Sequence, residues 1–145
     1  MTPPYRYLED VAPADVAFEA RGATREETFL AAADATLNAM VEDVETVRPT
    51  ERREISVAAD TLDLLLCEML QELVYHKDAG RLLLRVRDPR IEESGGKFRL
   101  VAQGWGETID RGRHRVLGDV KAVTLHRLAV ERVPGGWRAV VVLDV

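Results

Sequence analysis

The sequence predicts an α+β fold, one domain spanning residues 1–145 in which a largely antiparallel sheet packs against two long helices. Two stretches repeat apolar residues every three or four positions, the period of a helix with one buried face. After Gly80 the pattern changes to short alternating or apolar runs separated by glycine turns, the signature of strands and hairpins. No repeat, low-complexity tract or linker divides the 145 residues, a length typical of one domain with a real core.

In chain order, "YRYLED" reads as a first short strand. "ADVAFEAR" alternates Val16, Phe18 and Ala20 against Asp15, Ala17, Glu19 and Arg21, the period of a half-buried strand, and places Asp15 at its entry. Gly22 breaks that strand. Thr24 to Glu27 then fit a capping box, in which the hydroxyl covers a free helix N–H and the glutamate reaches back. Phe29, Ala33, Leu37, Met40 and Val44 mark one apolar face over roughly five turns, and Pro49 prevents continuation.

Ile55 and Val57 flank Ser56 in a short alternating segment. Asp60 is the expected N-cap of a second helix, with Asp63 in its first turn, running from Thr61 to Asp78 with Gly80 as its C-terminal cap. Leu62, Leu65, Leu66, Met69, Leu70, Leu73 and Val74 give it a wide apolar face, as expected of a central helix. The strands that follow are "RLLLRVRD", "KFRLVAQGWG" after the Gly95-Gly96 turn, "DVKAVTLHRLAVER", and "WRAVVVLDV" after the Pro134-Gly135-Gly136 turn. The last two form a hairpin.

With 46% hydrophobic and 31% charged residues, the composition is that of an ordinary globular protein. No run approaches a membrane span, and "MTPPYRYLED" lacks a basic region followed by an apolar one, so the expected location is the cytoplasm, away from membranes. A net charge of −5 argues against coating nucleic acid by bulk electrostatics. The densest basic cluster, "RGRHR" at residues 111–115, reads as a solvated loop. Cys67, the single cysteine, sits in "LLLCEML" and reads as a small buried side chain.

No phosphate loop, zinc spacing or serine–histidine–acid arrangement occurs. His76, His114 and His126 are scattered over helix end, loop and strand and read as structural, so no catalytic residue is assigned and an enzyme is not expected. Two carboxylates stand out by position: Asp15 opens an early strand and Asp144 closes the last. An ending as apolar as "AVVVLDV" predicts a C-terminus tied into the fold. Were these strands neighbours, two aspartates and the terminal carboxyl would meet, an arrangement that repels itself without a cation or basic side chain. Lys121 shares a predicted strand face with Val123 and Leu125, and His126 could join it only across a bulge.

"LEDVAPADVAFEARG", "EETFLAAADATLNAMV", "LDLLLCEMLQELVYHKDAGRLLLRV", "VKAVTLHRLAVE" and "GWRAVVVLDV", in this order and spacing, resemble the archease family over about residues 5 to 145. The resemblance implies a sheet packed against two long helices. It also implies a helper for the GTP-dependent RNA-splicing ligase, which joins 2′,3′-cyclic or 3′-phosphate ends to 5′-hydroxyl ends, as in transfer RNA maturation. Such a helper promotes guanylylation of the ligase histidine and allows repeated turnover, meeting RNA only through the ligase. The resemblance further implies a divalent-cation site, calcium by preference with magnesium or manganese as alternatives. By matching motif, Asp15 and Asp144 with the terminal carboxylate of Val145 are its ligands, and Lys121 of "VKA" is the functional lysine. The family pattern His-Thr-Ala-Asp-Ile/Val-Gly is replaced here by "DVAPADVAF", so Asp10 rivals Asp15 as the early ligand. Two other readings stay open: a chaperone-like or RNA-binding module acting through "RGRHR" or an apolar edge, and a small metal-dependent hydrolase.

Overall fold

The computed structural model describes residues 3–9, 11–13 and 15–145. The chain runs β1 (Tyr5–Leu8), β2 (Asp15–Gly22), α1 (Arg25–Met40), a single 3₁₀ turn (Val44–Thr46), β3 (Glu51–Ala59), α2 (Leu62–Gly80), β4 (Leu82–Ser94), β5 (Lys97–Thr108), β6 (Ala122–Val133) and β7 (Gly136–Asp144). This is the α+β architecture expected. The strands divide into two antiparallel sheets, one ordered β1-β2-β7-β6 and the other β3-β5-β4.

Both helices touch both sheets. α1 packs on β2 and β7 and also on β4, while α2 packs on β6 and also on β3, β4 and β5. That placement explains the composition of α1: besides Phe29, Ala33 and Leu37, the small residues Ala31, Ala32 and Ala35 are buried, because a helix between two sheets needs a second face that permits close approach. Its buried hydroxyls are satisfied within the helix, Thr28 Oγ1 donating to the Thr24 carbonyl (2.9 Å) and Thr36 Oγ1 to the Ala32 carbonyl (2.9 Å). α2 contributes Leu65, Leu66, Met69 and Leu70, all fully buried in one core with Phe18, Leu100 and Leu143.

The capping box forms as expected: the Glu27 N–H donates to Thr24 Oγ1 (3.1 Å) and the Ala23 N–H to Glu27 Oε2 (2.7 Å). Three local expectations shift. α1 stops at Met40 rather than reaching Val44, because Val41 turns extended and bridges to Val116. α2 is capped by Thr61 rather than Asp60, since Thr61 is the last residue with extended backbone. At the other end Gly80 is still helical and Arg81 takes the left-handed cap at φ 54°, its N–H donating to the His76 carbonyl.

Strand β3 is longer than its two apolar residues imply. Its segment Glu51–Glu54 pairs fully with β5, and an edge strand with a solvated face tolerates charge. Gly95 (φ 58°) and Gly96 (φ 76°) supply the two positive φ values that a tight hairpin between β4 and β5 requires. In β6 the register slips between Thr124 and Ala129, which stand opposite Val142 and Val140. Residues 125–128 are thus four against one, a bulge that leaves Leu125 66% exposed. No described helix is long and apolar enough to cross a membrane.

Candidate carboxylate site at the end of the four-stranded sheet

Strand β2 exists because Val16, Phe18 and Ala20 alternate with more polar residues, and β7 because its β-branched run is buried on both faces. Their antiparallel register runs from Asp15 opposite Asp144 to Gly22 opposite Trp137. Phe18, Ala20, Val141 and Leu143 join the helix-facing core. By alternation Asp15 and Asp144 therefore share the other face, as directly opposed neighbours. Both are half-buried.

β6 completes the site from the other side. Ala122 stands opposite Asp144, and the Lys121 N–H donates to the Asp144 main-chain carbonyl at 2.8 Å. Lys121 lies one residue before β6 and is exposed, so the strand face expected for it with Val123 and Leu125 does not extend to it. The side chain of Val145 is half-buried and packs against the core, anchoring the end of β7. Asp10, the rival early ligand, lies outside the described residues.

Carboxylate oxygens are donors of the kind a hard cation takes, six to eight for calcium and six for magnesium. Among the described residues two side-chain carboxylates face each other here, and no group of three or more His, Cys, Asp or Glu side chains is placed to hold a metal. Asp15 and Asp144 are like charges set directly opposite each other, a pairing that repels unless a cation lies close by.

Side chains of α2 hold the segment that carries Lys121. Lys77, 7% exposed, donates to the Asp119 carboxylate and to the Val120 carbonyl (2.7 Å), and also pairs with Asp78 (2.7 Å). Burial alone would lower the Lys77 pKa, but the two carboxylates more than offset this and raise it. Gln71 Oε1 accepts from the Val123 N–H at 2.6 Å. The segment from Asp119 to Val123 is thus fixed on both sides of Lys121. Gln71 and Lys77 stand about 120° apart around the helix, so their spacing carries no signal, and only the fold shows what they grip.

The "RGRHR" segment is not uniformly solvated. His114 is 2% exposed and joins Glu107 and Arg113 in a compact cluster. The Asp110 N–H donates to Nδ1 (2.9 Å), so Nε2 carries the ring proton and donates it to Glu107 (3.0 Å). Burial would raise the Glu107 pKa, but Arg113, the Arg48 N–H and His114 hold it down to about 2. Arg113 also donates to the Thr46 carbonyl (2.9 Å), which leaves Arg111 and Arg115 as the exposed cations. His76 lies in the C-terminal part of α2 beside Tyr75, and His126 lies exposed in the β6 bulge with its N–H on Thr124 Oγ1 (3.3 Å). The three histidines do not meet. Cys67 is buried, and burial followed by Glu68 and Asp63 raises its pKa.

A second charged group escaped the sequence reading. Glu19, 4% exposed, lies on the same sheet face as Asp15 and is held by Arg21 (2.8 Å), Arg138 (3.0 Å) and Arg6 (3.5 Å). Burial pushes its pKa up, yet the hydrogen bonds from Arg21 and Arg138 leave it lowered. This sheet face therefore has an arginine-paired carboxylate in its middle and two opposed aspartates at its end.

These features define a class: a small α+β protein with two helices against two antiparallel sheets and opposed carboxylates at one sheet end. The sequence profile of the archease protein family (MTH1598/TM1083) matches residues 5–145, and the chain belongs to that family. It is 34% identical over 142 residues to the archease of Methanosarcina barkeri, covering 97% of this chain and 95% of that one. It is 37% identical over 132 residues to the archease of Thermococcus gammatolerans, covering 90% and 92%. The solution structure of Methanobacterium thermoautotrophicum protein 1598 superposes with a TM-score of 0.84 at 28% identity, over 99% of this chain and 100% of that one. A Thermotoga maritima archease described as a possible chaperone shares the fold, with a TM-score of 0.57 at 20% identity over 95% and 97% of the two chains.

Proposed function

We propose that this chain is a protein cofactor, not itself an enzyme, that activates the GTP-dependent RNA-splicing ligase by promoting its guanylylation and repeated turnover. The observation that carries the reading is the register of β2, β7 and β6, which sets Asp15 opposite Asp144 and hangs the Lys121 main chain on Asp144. Three residues distant in sequence thereby converge on one sheet end, and they are those the family resemblance marks.

In this proposal Asp15, Asp144 and the carboxylate of Val145 hold a divalent cation, calcium by preference over magnesium or manganese. When bound, the cation supplies positive charge that relieves the repulsion between the opposed carboxylates. Lys121, exposed beside them, contacts the ligase. A helper raises the population of a reactive state only by binding that state better than the resting one, so the rigid segment around Lys121 is what selects it. RNA is met through the ligase, and the location is the cytoplasm.

The test is multiple-turnover guanylylation and ligation by the ligase with labelled GTP, with and without this protein. Acceleration with no turnover by the protein alone is expected. An unchanged rate, or turnover without ligase, contradicts the reading.

A further inference from the structure

A cleft of about 500 Å³ opens between the C-terminal end of α2, the start of β4 and residues 109–119. Its lining is largely aliphatic, with Met40, Leu83, Ile109 and Leu117, and Leu117 is 54% exposed. The Lys77 ammonium at its inner wall is already taken up by Asp78 and Asp119. Arg81 and Arg111, at the rim, are exposed and form no ion pair or side-chain hydrogen bond among the described residues.

Two observations set this cleft apart from a chance depression. The first is Arg81 itself, which occupies a left-handed backbone position (φ 54°) where glycine is free of strain and most residues pay about 1 kcal/mol. The second is that the walls are pinned. The Ile109 N–H donates to the Arg81 carbonyl (2.8 Å), the Leu117 N–H to the Met40 carbonyl (2.9 Å), and the Glu42 N–H to the Arg115 carbonyl (2.9 Å). A preformed cleft loses little ordering entropy on binding.

We propose that this cleft is a docking groove for an extended acidic segment of a protein partner, which seats an aliphatic side chain on Leu117 and sets carboxylates against Arg81 and Arg111. Charge complementarity selects this occupant. No aromatic ring lines the cleft, so nucleic-acid bases find nothing to stack on. Asp78 and Asp119 are paired with Lys77, which leaves Arg81 and Arg111 as the unpaired charges that a peptide carboxylate meets. Leu117, Gly118 and Asp119 also line a smaller cleft of about 320 Å³ that reaches Val145, so a docked segment lies beside the carboxylate site. The inference stands apart from the helper reading and needs no particular partner.

The test is titration of the ¹⁵N-labelled full chain with a synthetic acetylated hexapeptide alternating leucine and glutamate. Parallel arms use the glutamine version of the peptide and a single-stranded oligouridylate. The leucine–glutamate peptide is expected to shift the Arg81, Arg111 and Leu117 signals saturably, and the glutamine version to bind about tenfold more weakly. Arg81→Gly with Arg111→Glu is expected to lose about tenfold in affinity, and Leu117→Ser about fivefold. Arg81→Gly alone keeps or raises the melting temperature, which separates lost docking from lost folding. Shifts that are absent at millimolar peptide, lie elsewhere or persist in the variants overturn the proposal, as does tighter binding of oligouridylate in the cleft.

Discussion

Asp15 and Asp144 stand directly opposite each other across the β2–β7 pair, two like charges at a position where like charges destabilise a sheet. The pair is tolerated because it lies at the strand ends, half-exposed, where water screens it.

That repulsion is measurable. In chelator, Asp144→Asn is expected to raise stability by about 0.5 kcal/mol through loss of the like-charge contact. Millimolar calcium is expected to raise the melting temperature of wild type by mass action and to leave the variant unmoved. Thermal denaturation in both conditions checks this; equal calcium responses speak against a cation at these residues.

Glu107 contributes to the acid limit of the fold. Its pKa is held down to about 2 in the folded state, against 4.5 ordinarily. A depressed carboxylate stabilises above the unfolded value and loses that contribution as pH falls through the folded one. By linkage the effect is on the order of 3 kcal/mol. Glu107→Gln is expected to lower stability at pH 7 and flatten the loss between pH 4.5 and 2 in urea titrations. A parallel, undiminished acid limb contradicts this.

Lys77 fastens the segment before Lys121. Lys77→Met leaves the Val120 carbonyl without its donor, a loss of about 1–3 kcal/mol for a buried acceptor. Hydrogen exchange of residues 119–123 is expected to quicken more than that of β5. The Lys77 pKa is raised, so its contribution holds below the ordinary lysine value and disappears as pH rises through the folded one. Unchanged exchange at 119–123 contradicts the fastening role.

Leu70 is fully buried in the core that α2 shares with the strands. Leu70→Ala is expected to cost about 2–5 kcal/mol, read as a shifted urea midpoint with an unchanged slope.

Periodicity revealed both helices, every strand and the Gly95-Gly96 hairpin, since each of these is encoded locally. It did not reveal that the strands form two sheets, because alternation states that a strand has two faces and not which strand lies beside it. The second, alanine-lined face of α1 was invisible for the same reason: Ala31 and Ala35 look like good helix formers until a second sheet is placed against them. The end of α2 falls at Gly80 rather than Asp78, and its cap one residue beyond the glycine expected to provide it, so Arg81 takes that strain instead. Asp15 and Asp144 were noticed as strand ends, but their opposition depends on the β2–β7 register, and Lys121 was put in a strand that begins one residue later. The Glu107–His114 cluster lies within eight residues, yet nothing in its spacing announces that the histidine is buried.

The most direct test compares wild type, Asp144→Ala and Asp15→Ala for acceleration of ligase guanylylation under multiple turnover, with melting temperatures measured alongside. The account predicts that both variants fold and that neither accelerates the ligase. Full acceleration by a folded Asp144→Ala protein would contradict it.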